Sequence, residues 1–257
     1  GVCFYSNGDI YMGEWENDKP EGYGVFYYSD GRKIESNWAN GKAQKSNYEA
    51  PAEKPIASSL FDKQVKIWAV VIGVGRYSDL PQLKYTDDDA YQLYAFLKSP
   101  EGGAVPDDQV KILVDEAANR ENIMKTIKTT FSKADANDVV MLYFAGHGIN
   151  GYYLPFDSDG YKNRISYDEI KRVLENSEAK HKLCIADACY SGSFIPALQS
   201  PDTLIITASA ADKTSFGCNN EADYTYFGRA FFDLAMREQS SMKKAFDQAK
   251  TTVTQWE

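Results

Sequence analysis

The chain has 257 residues, enough for one large domain or for one domain with an appendage. Its formal net charge of −9 argues against general nucleic-acid binding, and fits either a preference for basic protein segments or a solvated acidic surface. Its apolar content is that of an ordinary globular protein, and no run reaches the roughly 18 apolar residues of a membrane span.

The first 44 residues contain an internal repeat. Gly1-Val-Cys-Phe-Tyr-Ser-Asn-Gly8 aligns with Gly24-Val-Phe-Tyr-Tyr-Ser-Asp-Gly31, and the segments after each align too, with a period of 23 residues. Asn7-Gly8 and Asp30-Gly31 are hairpin-turn dipeptides between aromatic strands. Self-similarity at this period marks a stacked repeat. The pattern Tyr11-x-Gly13-x-Trp15 followed by Gly22-Tyr-Gly24 resembles MORN repeats, which stack as β-hairpins. The chain opens in mid-repeat, which leads us to expect further units before Gly1. The resemblance implies contact with a regulatory protein or a lipid; a structural spacer or dimerisation arm is the other reading. Residues 45–64 read as a linker, because Pro51, Pro55, Ser58 and Ser59 interrupt any period.

From residue 65 to the end, strand and helix patterns alternate. Lys66 to Val74 is a central strand, and Thr86 caps a helix through Leu97 with Asp87 and Asp88 in its first turn. Gln109 to Val114 is a second strand, and Asn119 caps a helix with Ile123, Ile127 and Phe131 on one face. A strand at Asp138 to Ala145 follows, then a short strand at Tyr152 to Leu154. Ser166 caps the next helix, with Glu169 at the capping-box position. Leu183 to Ala186 and Thr203 to Thr207 are further strands; Thr225 to Met236 and Met242 to Val253 read as helices. Continuous apolar strands alternating with helices predict an α/β fold with a doubly wound, mainly parallel sheet. Five strands are legible.

Two of these strands end in reactive residues. One runs into Gly146-His147-Gly148, the other into Asp187-Ala-Cys189-Tyr-Ser-Gly192. In such sheets ligands sit beyond the carboxyl ends of the strands, so both residues reach the same edge. A Cys beside a His makes a nucleophile–base pair. Cys184 lies inside its run and reads as a buried small hydrophobe, and His181 stands at the far end of the same strand. The four cysteines, Cys3, Cys184, Cys189 and Cys218, show no CxxC spacing and no disulfide framework. A reducing, cytoplasmic setting is expected, with Cys189 a free thiol.

Asp187-Ala188-Cys189-Tyr190-Ser191-Gly192, with His147 42 residues upstream, is similar to the caspase signature. From about Lys66 onwards the chain resembles caspase-like cysteine peptidases, nearer to metacaspases and their bacterial relatives than to animal caspases. The resemblance implies that Cys189 attacks, that His147 serves as base and acid, and that the amides of Gly148 and Cys189 form the oxyanion hole. It also implies a dyad, and no third residue orienting the imidazole is evident in the sequence. In metacaspases an Asp two before the nucleophile lines the substrate pocket; here that is Asp187. A second acid comes from a Leu-x-Gly-x-x-Asn-Asp-Val-like motif. Leu83-Lys-Tyr-Thr-Asp-Asp-Asp89-Ala90 puts Asp89 there, with Tyr85 in place of Gly and Asp88 in place of Asn. Helix-end charge for Asp87 to Asp89, and a turn role for Asp187, are the other readings. Ser209, after the Thr203 strand, completes the expected substrate-binding set. No Arg follows that strand where animal caspases hold an Asp substrate.

Two carboxylates favour Arg or Lys before the cut. The expected partner is thus a protein or peptide with a basic residue there, and no nucleic acid. Cys–His chemistry requires no cofactor. Asp157-Ser-Asp-Gly160 reads either as a calcium site, since some metacaspases bind calcium, or as a turn. The polar segment 211–224, with Lys213, reads as an activation or self-cleavage loop or as a plain surface loop. Two other functions remain open: a catalytically silent scaffold, and a caspase-fold subunit switched on by a larger complex such as a defence system.

Overall fold

The computed structural model describes residues 2–5, 9–27, 33–44, 64–100, 102–215, 225–239 and 241–256. The linker expected at 45–64, apart from residue 64, lies outside the described residues. So do Cys218, the far half of the 211–224 loop, and the Asn7-Gly8 and Asp30-Gly31 turns.

The N-terminal repeats form an antiparallel meander: β1 (Val2–Phe4), β2 (Ile10–Glu16), β3 (Lys19–Tyr27), β4 (Lys33–Ala39) and β5 (Lys42–Ala43), paired in chain order. The described turns are Asn17-Asp18 and Asn40-Gly41, whose residues all have positive φ, as tight hairpins require. Tyr11 is fully buried, with Trp15 and Trp38 edge-on to its ring at centroid distances of 5.1 and 5.2 Å. A Cβ at Gly24 would stand 2.1 Å from the Tyr11 hydroxyl, so the glycines of the repeat make room for its aromatic centre. Lys244 in the C-terminal helix pairs with Asp18 at the β2–β3 turn. Such part-exposed pairs contribute about 0–1 kcal/mol.

The second sheet is parallel and has five strands among the described residues: β6 (Ile67–Gly73), β7 (Val110–Val114), β8 (Val139–Ala145), β12 (His181–Asp187) and β13 (Thr203–Thr207). Their order is β13-β12-β8-β6-β7. A small antiparallel ribbon, β9 (Gly148–Ile149), β10 (Tyr152–Tyr153) and β11 (Ile165–Ser166), lies beside it. Helices α1 (Thr86–Lys98), α2 (Arg120–Phe131), α3 (Tyr167–Glu175), α4 (Phe194–Leu198) and α7 (Met242–Trp256) cover the large sheet. Alternation along β6 shows how. Val70 and Ile72 join Ile123, Ile127, Ile170 and Phe194 in one core, whereas Ala69 and Val71 join Leu93, Phe231 and Ala245 in the other. The sheet is therefore buried on both faces, and its strands carry no polar alternation.

Three local expectations need adjustment. Thr86 is not the cap of α1; Tyr85 is, in the left-handed region at φ 73°, and the Thr86 hydroxyl donates to the Val74 carbonyl at 2.7 Å. The stretch after Thr225 is not one regular helix. It runs as α5 (Tyr226–Gly228), a π-helical stretch (Arg229–Ala235) and α6 (Met236–Glu238). The last helix continues to Trp256, which packs edge-on against Tyr226. Asn119 and Ser166 cap α2 and α3 as expected, Ser166 with the full capping box.

The chain lays β7 on one side of β6 and β8 on the other. The order thus reverses between β6 and β8, and the carboxyl ends of the strands beside such a switch point are where sheets of this kind bind ligands.

Candidate active site

In the parallel ladder Asp187 of β12 stands opposite Ala145 of β8, and the Gly146 amide donates to the Asp187 carbonyl at 3.1 Å. His147 and Cys189 each come two residues later. The register thus carries both to equal depth past neighbouring strand ends. The Val74 amide donates to the Ala145 carbonyl at 2.9 Å, which brings the loop after β6 to the same place.

That loop supplies what the sequence reading lacked. His147 Nε2 lies 2.8 Å from the Pro81 carbonyl oxygen. A carbonyl only accepts, so Nε2 carries the proton of the neutral ring and Nδ1 remains as the base. The backbone N–H of His147 donates to the Tyr77 hydroxyl at 2.6 Å, and the two rings pack at 4.7 Å between centroids. The loop is itself braced. Gln82 donates to the Tyr77 carbonyl and accepts from the Tyr77 amide, at 2.9 and 3.1 Å. The Asp115 carboxylate accepts from the amides of Gly75 and Arg76 and pairs with the Arg76 guanidinium. Burial disfavours the imidazolium and pulls His147 below its ordinary value, with the Pro81 carbonyl acting the other way. His181, at the opposite end of β12, is pushed down to about 4 by burial and is no candidate base.

Cys189 sits on a sharp turn. Tyr190 has φ 57°, a left-handed conformation that costs about 1–3 kcal/mol for a non-glycine residue. The turn is held by its surroundings. The Tyr190 amide donates to the Lys213 carbonyl at 2.7 Å, and the Ser193 hydroxyl donates to the Tyr190 carbonyl at 2.7 Å. The Cys189 thiol is part-exposed and accepts from the Ser215 amide at 3.3 Å. A Cβ at Gly148 would fall 2.7 Å from the Cys189 carbonyl oxygen, so glycine lets the strand after His147 lie against the nucleophile turn. Cys184 is fully buried, and its thiol is pushed up to about 12 by desolvation, which keeps it inert.

The two expected pocket acids come together. Asp89 and Asp187 are both buried, and both lie within hydrogen-bonding distance of the Thr225 hydroxyl, at 2.5 and 2.8 Å. Ser215 donates to Asp187 at 3.4 Å. Desolvation raises both carboxyls above the ordinary carboxylate value, and the charge of Asp187 adds to the rise at Asp89. Neither acid has an ion-pair partner among the described residues. Asp89 is thus more than helix-end charge, although Asp88 is exposed.

Ser209 is not free to face a substrate. Its hydroxyl donates to the Ala188 carbonyl at 2.9 Å and accepts from the Ser191 amide at 3.1 Å, so it braces the nucleophile turn. In the Asp157–Gly160 segment, Asp157 accepts from the Arg120 amide, and Asp159 accepts from the amides of Tyr161 and Lys162. These bonds are those of a turn. Among the described residues no group of three or more His, Cys, Asp or Glu is arranged to hold a metal. Sequence reasoning missed Tyr77, Pro81, Ser215 and Thr225; only the position of Thr225 at a helix start carried a signal.

A doubly wound sheet with Cys and His at adjacent strand ends defines a caspase-like cysteine peptidase. Residues 108–257 match the model of the Peptidase C13 family, and residues 11–31 match that of the MORN repeat. The chain belongs to the Peptidase C13 family, with an N-terminal MORN repeat. No curated protein matches it. Asp89 lies outside the matched range, so its place in the site rests on geometry. No helix among the described residues is long and apolar enough to cross a membrane.

Two expectations follow. The folded chain holds on to a carboxyl proton that the unfolded chain releases. The stability tied to the Asp187 proton is present below the ordinary value near 3.8 and is lost as pH rises through about 6, and the charge that Asp187 then carries helps Asp89 to hold a second proton. Asp89→Asn, which removes one of two facing buried acids, should therefore raise the melting temperature at pH 7 by a few degrees and have little effect at pH 4, as read by calorimetry. Separately, the depressed His147 predicts that the acidic limb of kcat/KM lies below pH 6.5. The measurement needs a peptide with a small neutral side chain before the cut, so that the acid pair does not contribute.

Proposed function

We propose that this protein is a cysteine endopeptidase that hydrolyses peptide bonds after Arg or Lys with a Cys189–His147 dyad, and that its MORN arm serves for tethering or regulation. The observation that supports the reading is the matched register of β8 and β12, two residues beyond which lie His147 and Cys189, together with a buried acid pair that has no ion-pair partner among the described residues.

In this reading His147 Nδ1 takes the Cys189 proton and the thiolate adds to the scissile carbonyl carbon. The Pro81 carbonyl steadies the imidazolium that results. The developing oxyanion accepts from the amides of Gly148 and Cys189. The carbon–nitrogen bond then breaks as the imidazolium returns its proton to the leaving amine. Water, deprotonated by His147, attacks the thioester and releases the carboxylate and the thiol. Asp89 and Asp187 hold the cationic side chain before the cut. A guanidinium gains charge-assisted bonds there, each worth about 1.5–3 kcal/mol, whereas an Asp substrate meets like charge. The free thiols of Cys3, Cys184 and Cys189 fit a reducing, cytoplasmic setting.

One observation favours a second reading, a subunit that a partner complex switches on. Lys213 and Ser215 contact the nucleophile turn through backbone groups, and the acids beneath are buried. In this second reading a partner would displace the segment and open the acids to a substrate side chain.

Fluorogenic peptides with Arg, Lys or Asp before the cut test the proposal. Arg and Lys peptides should be cleaved, Arg the better because only its planar fork meets two carboxylates. Cys189→Ala and His147→Ala should each abolish turnover, and the double variant should lose little more. Efficient cleavage after Asp, or turnover by Cys189→Ala, refutes the assignment. Inactivity that is relieved only by cell lysate supports the second reading.

None of the arm's described residues belongs to the site, and its described ion pair with α7 is weak. Removal of residues 1–44 should thus leave peptide hydrolysis within a few-fold while altering assembly or location. Complete loss of turnover in a well-folded truncation would show instead that the arm helps to build the site.

A further inference from the structure

Thr225 occupies a position that the general chemistry of the dyad does not explain. Its hydroxyl oxygen lies 2.5 Å from Asp89 Oδ2, 2.8 Å from Asp187 Oδ2 and 2.9 Å from the Gly228 amide nitrogen. The amide can only donate, so the hydroxyl oxygen accepts from it. The hydroxyl has a single proton and can give it to only one of the two carboxyls. A carboxylate only accepts, so the second short contact is a hydrogen bond only if that carboxyl is protonated and donates to Thr225. The three distances together call for one shared proton.

The surroundings agree. Asp89 Oδ1 and the Tyr143 hydroxyl are buried without a hydrogen-bond partner among the described residues. A Cβ at Gly228 would lie 2.4 Å from the Asp89 carboxyl carbon, so the helix start closes over the pair. Among the described residues, the titratable and charged groups that face the acids are Asp88 from α1 and the Tyr143 phenol from β8, with the Ser215 hydroxyl from the segment after β13. None is a cation. Arg229, next along the helix, lies instead over the Trp256 ring at 5.3 Å.

We propose that Thr225 is the positioning residue of this pocket: its hydroxyl, fixed by the Gly228 amide, makes Asp89 and Asp187 share one proton, so that the resting pocket carries one negative charge and not two. The inference rests on the reading of the pair as the substrate pocket for its kinetic consequence, though not for the proton count itself. An Arg side chain that engages both carboxylates displaces the shared proton to solvent. Binding of basic substrates is then coupled to the release of one proton, and the pocket becomes more selective for them as pH rises.

Two measurements on the full chain separate the proton from the substrate. The first is the infrared spectrum of protein labelled with ¹³C at aspartate carboxyls, taken as wild type minus Asp89→Asn. A protonated-carboxyl stretch should be present at pH 7 and should vanish on titration to higher pH. In Thr225→Val the loss of the hydroxyl that bridges the two carboxyls should move that titration at least one pH unit downwards, and Thr225→Ser should restore it. The second is KM against pH. For an Arg peptide KM should fall about tenfold per pH unit while the pair keeps its proton, and for a peptide with a neutral side chain it should stay flat. Thr225→Val should move the Arg limb downwards with the infrared titration. Absence of a protonated band at pH 7 in the wild type, or a Thr225→Val protein that titrates like the wild type, overturns the proposal. If Thr225→Val does not fold, the wild-type spectrum and its preservation in Thr225→Ser decide. If the band behaves as expected but the two peptides share one pH dependence, the basic-substrate reading fails and the shared proton stands.

Discussion

The site depends on one backbone relation, the pairing of Ala145 with Asp187 between β8 and β12. A one-residue slip in a parallel ladder turns every side chain to the opposite face. Here it would also set His147 and Cys189 at different depths and would turn Cys184 and Ile185 each towards the core that the other now fills. The register is specified by burial. Leu142 and Cys184 belong to one core while Met141, Tyr143 and Ile185 belong to the other, so no shifted pairing satisfies both faces. The chemistry thus inherits its geometry from hydrophobic burial, with no bond between the reactive side chains needed to set it.

The acid pair works against that stability. Two carboxyls buried beside each other cannot both ionise cheaply, and the described residues give them a hydroxyl in place of a cation. Such an arrangement costs the fold, because a buried charge without a partner is left uncompensated. Natural proteins sit near the stability they need, and strained or desolvated groups concentrate where function requires them. The left-handed Tyr190 beside the thiol is a second instance of the same pattern, held in place by bonds from Lys213 and Ser193.

What the sequence made legible follows from what each feature leaves in it. The parallel sheet was readable because doubly buried strands become continuous apolar runs, and the caps of α2 and α3 because Asn119 and Ser166 act through their own side chains. His147 and Cys189 stood out as reactive residues placed just beyond such runs. Pro81 was invisible because its contribution is a main-chain carbonyl, which any residue carries. Tyr77 was invisible because its hydroxyl serves a backbone amide 70 residues away. Tyr85 displaced Thr86 as the cap of α1 because the Thr86 hydroxyl has a tertiary partner, the Val74 carbonyl. The π-helical stretch arose where Ala230, Phe231 and Ala235 bury themselves in the second core, a tertiary demand that local periodicity does not encode. Ser209 was drawn to the substrate by resemblance, whereas the Ser191 and Ala188 backbones claim its hydroxyl.

The segment after β13 ties these strands of argument together. Lys213 holds the turn that strains Tyr190, Ser215 donates its amide to the Cys189 sulfur, and the same Ser215 donates its hydroxyl to Asp187. Cys189 and Asp187 are therefore both contacted by one short piece of chain, through two groups of a single residue. A displacement of Ser215 loosens both contacts at once, since one backbone position cannot leave the thiol while its side chain keeps the carboxylate. The contacts to the thiol and to the carboxylate are thus joined through one residue. That coupling needs no communication through the core, because the element that covers the sulfur also covers the charge.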